Sequence, residues 1–428
     1  MKKYYFRQLD ETLLKNLCGR KAIRFDAVLP IVQDVLRKVK SSGDKAIREY
    51  TKKFDNVCLS SFAVMQAEIE RACECVPKNI QSAFNKTARN IERFHKSQMV
   101  KLKKVQTMPG ITCFTETRPI EKVGLYIPGG TVPLPSTVLM LGIPAKLAGC
   151  KEIVLVTPPT KDGNVADIIL FAAKLCGITK IFKIGGAQAI AALAFGTESV
   201  PKVYKIFGPG NQYVTAAKML VSIDPNGAAI DMPAGPTEVL VIADEKARVD
   251  FVASDILSQA EHGIDSQAIL ITTSDRKANE VLGKVKLQLQ TLPRKEIAQK
   301  SLSNSFVIVV DSIDQAISFS NQYAPEHLIL NVVNAKKYVP AITNAGSVFL
   351  GPYSCESAGD YASGTNHSLP TYGYARVFSG VSVSSFQKQL TFQKITKQGA
   401  KNLGPIVTTI ASQESFEGHK RAMQLRYQ

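Results

Sequence analysis

The chain carries five histidines among 428 residues, and four of them stand in contexts that suit chemistry. In "YAPEHLIL" (323–330), Glu326 and His327 are adjacent at the head of an apolar run. A regular strand would point them to opposite faces. Pro325 and the position at the strand's start favour a non-regular backbone that lets both reach one cleft. Imidazole titrates near neutrality and can relay protons, while a neighbouring carboxylate can activate water. The bland alternative is an acid and an imidazole that only cap a strand.

Gln259 and His262 close the run "ARVDFVASDILSQAEHG", whose apolar stripe marks an amphipathic helix with Gly263 as its cap. Three residues apart, they lie about 60° apart around the axis and can chelate one ion. His262 could equally satisfy last-turn carbonyls. The segment "ESAGDYASGTNHSLPTYG" (356–373) surrounds Asp360 and His367 with small polar residues, as a binding loop does. "SQESFEGHKRA" (412–422) holds Glu414 and His419 in what reads as a solvated tail, and His95 in "NIERFHKSQM" reads as a surface residue. His, Asp and Gln without a cysteine ligand suit a zinc-type site with room for substrate. Spacing alone does not make them converge.

The elements that must position these residues read in two series. Residues 1–100 are mainly helical, as in "DAVLPIVQDVLRKV". Short apolar strands follow in "KVGLYIPGG", "EIVLVTPP", "KIFKIGG", "KVYKIFGPG" and "GAAIDMPAG", then in "EVLVIAD", "QAILITT", "SFVIVVDS", "HLILNVV" and "GSVFLG". Helical runs lie between them, which predicts βαβ units, parallel sheets and two α/β domains. Ligands are then expected beyond the carboxyl ends of the strands. "GPGNQY" (208–213) offers two of three fingerprint glycines, with Asp231 about 20 residues on as a candidate ribose acid. The last fifty residues read as a helical tail.

Composition limits the function classes. The chain is 45% apolar and 21% charged, ordinary for a folded protein. No apolar run reaches the roughly 18 residues of a membrane span, and "MKKYYFRQLDE" does not read as a signal peptide. A cytoplasmic protein without membrane partners is expected. The eight cysteines lack a CxxC pair and read as reduced thiols. The formal charge of +17 is concentrated in residues 1–120, with 24 Lys/Arg against 12 Asp/Glu. No nucleic-acid-binding motif accompanies it, so no nucleic-acid partner is expected.

"DMPAGPTEVLVIAD", "QAEHG", "YAPEHL", "ESAGDYASGTNH" and "ESFEGHKRA", in that order, closely resemble histidinol dehydrogenases over nearly the whole chain. The resemblance implies oxidation of L-histidinol through L-histidinaldehyde to L-histidine, the last steps of histidine biosynthesis, with two NAD consumed per turnover. It implies one zinc per subunit on Gln259, His262, Asp360 and, from the other subunit of a domain-swapped homodimer, His419. His327 would handle the redox protons and Glu326 the hydration water. Thr237, His367 and Glu414 would join the zinc residues and His327 in contacting substrate, and Tyr126, Gln188 and Asn211 would contact NAD. This placement replaces the Gly208–Asp231 fingerprint. The implied architecture is two incomplete Rossmann-like α/β domains with helical end segments: 1–22 helical, 23–128 with 237–380 as one domain, 129–236 as the nucleotide-contacting domain, and 381–428 reaching the partner. Two positions depart from the family pattern: Thr237 stands where serine is usual, and Cys355 where proline is frequent.

Overall fold

Strands of two to six residues with an apolar side chain at most positions need both faces covered, and helices returning between parallel strands provide that cover. The computed structural model describes every residue except 21–24, 100–102, 130–132 and 234. Part of the basic stretch 96–105 and Gly130 after the first strand of the series therefore lie outside the described residues.

In chain order the strands are β1 (Lys2–Tyr5), β2 (Val105–Met108), β3 (Ile111–Pro119), β4 (Lys122–Tyr126), β5 (Glu152–Thr157), β6 (Lys180–Lys183) and β7 (Lys205–Phe207). They continue as β8 (Ala229–Ile230), β9 (Glu238–Ala243), β10 (Gln267–Thr272), β11 (Phe306–Val309), β12 (His327–Asn331), β13 (Ser347–Leu350) and β14 (Gln387–Ile395). One sheet has the order β6-β5-β4-β7-β8 and the other β1-β11-β10-β9-β12-β13, and every pairing in both is parallel. Leaving β1 aside, both follow the order third, second, first, fourth, fifth. That is one strand short of a six-stranded dinucleotide fold, with the switch point between first and fourth strands. All ten strands of the two expected series are present.

Alternation along the strands builds a core on each face. Val239 and Val241 pack on one side of β9, Leu240 and Ile242 on the other. Val154 and Val156 of β5 likewise face away from Leu155. Two of these clusters flank each sheet.

The domain boundaries follow the sheets differently from the expectation. Strand β4, placed by sequence in the domain of 23–128 and 237–380, is the centre of the β4–β8 sheet. The helix Phe25–Asp55 packs on the helices Gly186–Phe195 and Gln212–Ile223 of that same sheet. The N-terminus is not purely helical, since β1 pairs with β11 at the sheet's edge. A third sheet, β14-β3-β2, is antiparallel. Thus the tail is a strand followed by the helices Lys397–Gln413 and Glu417–Tyr427. The strand "QKQLTFQKI" is largely exposed and polar, so its period was masked by its composition. No helix among the described residues is long and apolar enough to cross a membrane.

Candidate active site

The backbone before β12 explains how Glu326 and His327 share a cleft. The helix Ile313–Tyr323 ends at Ala324, a left-handed residue at φ 54°, which costs a non-glycine about 1–2 kcal/mol. Pro325 follows, and strand geometry starts only at His327. The turn is held from outside. Arg20 stacks on Tyr323 at 3.7 Å from the ring centroid and donates to Ala324 O at 3.3 Å. It also grips the buried Glu238 carboxylate with two bonds, at 2.9 and 2.7 Å. As a result His327 Nδ1 lies 3.6 Å from Glu326 Oε2.

A chain of hydrogen bonds orients both groups. Gln259 Nε2 donates to Thr237 Oγ1 at 2.8 Å, and the Thr237 hydroxyl donates in turn to Glu326 Oε2. The Glu238 amide donates to the same carboxylate oxygen at 2.9 Å. His327 Nδ1 lies 3.1 Å from Glu238 O. A carbonyl only accepts, so Nδ1 carries the proton and Nε2 is left as the working nitrogen. Nε2 faces Asp360 Oδ1 at 3.4 Å.

Asp360 and Glu356 are one turn apart on the helix Glu356–Tyr361, which Cys355 precedes without a side-chain cap. One ligand atom each from His262, Glu356 and Asp360 lies within 4.8 Å of the others. Gln259 Oε1 is buried beside them and has no hydrogen-bond partner among the described residues. An orphaned amide oxygen, two carboxylates and an imidazole form a donor set that fits zinc. Glu356, 1% exposed, had not been singled out by sequence. His262 is the exposed member, and Gly263 does not cap its helix. The helix ends at Ala260 with Glu261 as a right-handed cap.

Burial and charge divide the labour. Burial pushes the Glu326 carboxyl up to about 7, against the pull of His327, Thr237 and the Glu238 amide. Burial likewise raises Glu356 to about 8. Burial opposes charge on His327, yet Glu356, Glu326 and Asp360 outweigh it and raise its pKa well above the usual imidazole value. Burial also opposes charge on Asp360, but His327, His367 and His262 hold it below the usual carboxylate range.

His367 bridges the two sheets. Its Nδ1 donates to Asp360 O at 2.8 Å, and its Nε2 meets Thr137 Oγ1 at 3.1 Å on the helix Pro135–Ala148. Asn366 beside it donates to Met140 O on that helix at 2.6 Å and to His95 Nε2 at 3.2 Å. His95 is therefore not a surface residue; it is fully buried. Its spacing of four from buried Ile91 was the available signal, because it puts both on one helical face.

Glu414 and His419 do not join this cluster within one chain. Both are exposed on the tail, where the His419 ring lies 5.2 Å from that of Phe416.

Thr237, Glu326 and His327 mark the amino ends of β9 and β12, whereas ligands were expected at carboxyl ends. The carboxyl edge at that switch point is closed by Asp244, which accepts the amides of Lys246, Ala247 and Val333. The β4–β8 sheet differs. Tyr126, Gln188 and Asn211 all lie at its carboxyl edge: Tyr126 ends β4, and Gln188 and Asn211 follow β6 and β7. The Tyr126 hydroxyl accepts from the Gly186 amide at 3.2 Å. Asn211 Oδ1 caps the helix Gln212–Ile223 by accepting from Tyr213 and Val214; its NH₂ is the group turned to donate. Gly208, at φ 124°, passes so close that a Cβ would meet Tyr126 O at 2.1 Å. Asp231 does not act as a free ribose acid. It accepts the Gly208 amide at 2.8 Å, and it pairs with buried Lys218, which also bonds Gly208 O at 2.8 Å.

A family model described as histidinol dehydrogenase matches residues 18–427. The chain belongs to the histidinol dehydrogenase family. It is 56% identical over 411 residues to the histidinol dehydrogenase of Bacteroides thetaiotaomicron, covering 96% of each chain. It is 52% identical over 427 residues to that of Vibrio parahaemolyticus, covering 100% of this chain and 98% of the other. Its structure matches the crystal structure of histidinol dehydrogenase from Elizabethkingia anophelis with a TM-score of 0.96 at 52% identity, covering 100% of this chain and 98% of that one. Histidinol dehydrogenases are NAD-dependent oxidoreductases of histidine biosynthesis, and the family is consistent with zinc use.

Proposed function

We propose that this protein oxidises L-histidinol by four electrons, through L-histidinaldehyde to L-histidine, reducing two NAD per turnover. The observation that carries the reading is the adjacent Glu326–His327 pair, oriented by the Gln259–Thr237 relay. A cation held on Asp360 would offset the carboxylate charge that keeps His327 protonated. Nε2, freed of its proton, takes the alcohol proton as the first hydride leaves, releases it, and takes the hydrate proton as the second leaves. The Glu238 carbonyl keeps Nδ1 protonated and the ring fixed during both. Glu326 removes a proton from water for hydration of the aldehyde; a carboxyl raised to about 7 is matched to that task near neutral pH.

Gln259, His262 and Asp360 would hold one zinc per subunit, with His419 of the partner subunit as the remaining protein ligand. When bound, the zinc supplies a cation for the substrate's imidazole and amine nitrogens and so orients the carbinol carbon. Thr237, His367 and the partner's Glu414 complete the substrate contacts, and Tyr126, Gln188 and Asn211 receive NAD. The enzyme works as a homodimer with exchanged tails. The apolar residues Ile406, Ile410 and Leu425 on the tail helices and Phe416 in the turn between them, all exposed in a single chain, support that assembly. The expected setting is the cytoplasm. The test is NADH formation from L-histidinol with and without chelator. Two NADH per histidinol, abolished by chelation and restored by Zn²⁺, is the expected result. Turnover without nucleotide would instead favour a zinc hydrolase.

A further inference from the structure

Asp55 ends the second arm, residues 44–55, of the helix Phe25–Asp55, which kinks at Gly43 (φ 47°) and packs on the helix Gly186–Phe195. Asp44, at the start of that arm, accepts from Thr197 and Ser199 just past Phe195, so the arm starts at the carboxyl end of the helix Gly186–Phe195 and Asp55 lies towards Gly186. Its Oδ2 is buried and accepts no hydrogen bond among the described residues. Burial raises its carboxyl to about 6. Burial also pushes the Tyr126 hydroxyl up to about 12, and the nearby Asp55 charge adds to that rise. Gln188 Oε1, at the first turn beyond Gly186, is a second buried acceptor without a partner among the described residues. The Tyr126 oxygen accepts from Gly186, so its own proton remains to be donated.

Dinucleotide-binding sheets of this order use an acidic side chain, about 20 residues after the first glycine turn, to accept from a ribose hydroxyl. That position is not filled here. β5 runs out into Thr157, Pro158 and Pro159. Glu152, at the opposite end of the strand, is paired with Lys180 and Lys122. Asp231 is consumed by Lys218 and the Gly208 amide.

We infer that Asp55, from the helix laid over this edge, is the carboxylate that accepts the hydroxyls of an NAD ribose. The inference rests on the placement of NAD at Tyr126, Gln188 and Asn211. Two acceptors with one hydroxyl donor match a vicinal diol and repel a ribose bearing a phosphate. Asp55 thereby selects NAD over NADP.

The test compares Asp55→Asn, Asp55→Glu and Asn211→Ala in the full-length enzyme. Asp55→Asn is expected to raise the KM for NAD about tenfold, leave kcat and the KM for histidinol within about twofold, and raise the NADP/NAD ratio of kcat/KM at least about fivefold. Asp55→Glu keeps the charge and is expected to retain discrimination against NADP. Because one carboxylate oxygen is buried without a partner among the described residues, Asp55→Asn is also expected to hold or raise the melting temperature of the cofactor-free protein, whereas loss of a purely structural group would lower it. An unchanged NAD KM and NADP/NAD ratio in Asp55→Asn overturns the inference. If Asn211→Ala weakens NAD in that case, the cofactor edge stands without Asp55; if neither variant does, the cofactor placement falls as well.

Discussion

Thr237 makes two hydrogen bonds through one hydroxyl, and this gives its role a sharp test. Thr237→Val keeps the shape but leaves Gln259 Nε2 without its acceptor and strips Glu326 Oε2 of one of its two donors, the Glu238 amide remaining. Orphaning such buried groups costs about 1–3 kcal/mol, so a loss of about 10–100-fold in kcat is expected. Since the threonine bond lowers the Glu326 pKa against burial, its removal should move the rising limb of the aldehyde-oxidation pH profile to higher pH. Thr237→Ser keeps the hydroxyl and should leave the profile in place. Glu326→Gln tests the division of labour. Removing a general base typically costs about 10²–10⁴-fold, and the loss should fall on aldehyde oxidation far more than on alcohol oxidation. Equal losses in steady-state rates with each substrate would refute separate roles for the two bases. Glu326, His327, Gln259, His262 and Asp360 were legible because ionisable and amide groups stood in otherwise apolar or small-residue contexts. Arg20 and Glu238 were not, because nothing local in "LCGR" or "TEVL" announces an ion pair 218 residues apart.

At the scale of elements, the loop after Asp360 is pinned by His95 on a helix remote in sequence. His95 Nδ1 donates to Ile91 O at 2.9 Å, so Nε2 must be unprotonated to accept from Asn366. Burial accordingly lowers its pKa from the ordinary imidazole value. A depressed imidazole contributes stability that is fully present above the unfolded pKa of about 6.5 and is lost as pH falls below it towards the folded pKa. The difference in unfolding free energy between wild type and His95→Ala should therefore be largest above about pH 6.5 and shrink in acid. Denaturant melts at pH 8 and pH 5.5 measure it, and a difference independent of pH would contradict a neutral native His95. The ten strands of the two parallel series were readable, since period and β-branched content mark them, whereas β1, β2, β3 and β14 were not. Sheet membership was not. A strand's partner depends on which helices cover it, and β4 reads the same in either sheet. The amino-edge position of the active site was equally hidden, because chain polarity relative to a cleft leaves no mark on residue types.

For the whole molecule, the tail decides whether one chain suffices. In a crossed-subunit site, His419→Ala should lose zinc on metal analysis of the purified protein; full occupancy would count against the exchange. Mixing supplies a second, independent measure. His419→Ala and Glu326→Gln subunits, each nearly inactive, should regain about a quarter of wild-type sites after random exchange, because half of the dimers are mixed and each carries one intact site. Continued inactivity after verified exchange would place His419 in its own chain's site. The proposed assembly could be read only from the family resemblance. Spacing put Glu414 and His419 near the end of the chain without saying which cleft they reach.

The opposite use of the two sheet edges has an electrostatic consequence. At the amino edge of β9 and β12, the helices Val249–Ala260 and Ile313–Tyr323 arrive with their carboxyl termini, the negative pole of the peptide dipoles. At the carboxyl edge of the other sheet, the helices Pro135–Ala148, Gly186–Phe195 and Gln212–Ile223 begin, and each offers its positive pole. Each pole contributes roughly half an elementary charge over the first or last turn. One wall is thereby biased towards a metal cation and a protonated amine, and the other towards a pyrophosphate. Two copies of one strand order, approached from opposite ends, thereby present opposite backbone fields to the ligands proposed at each edge.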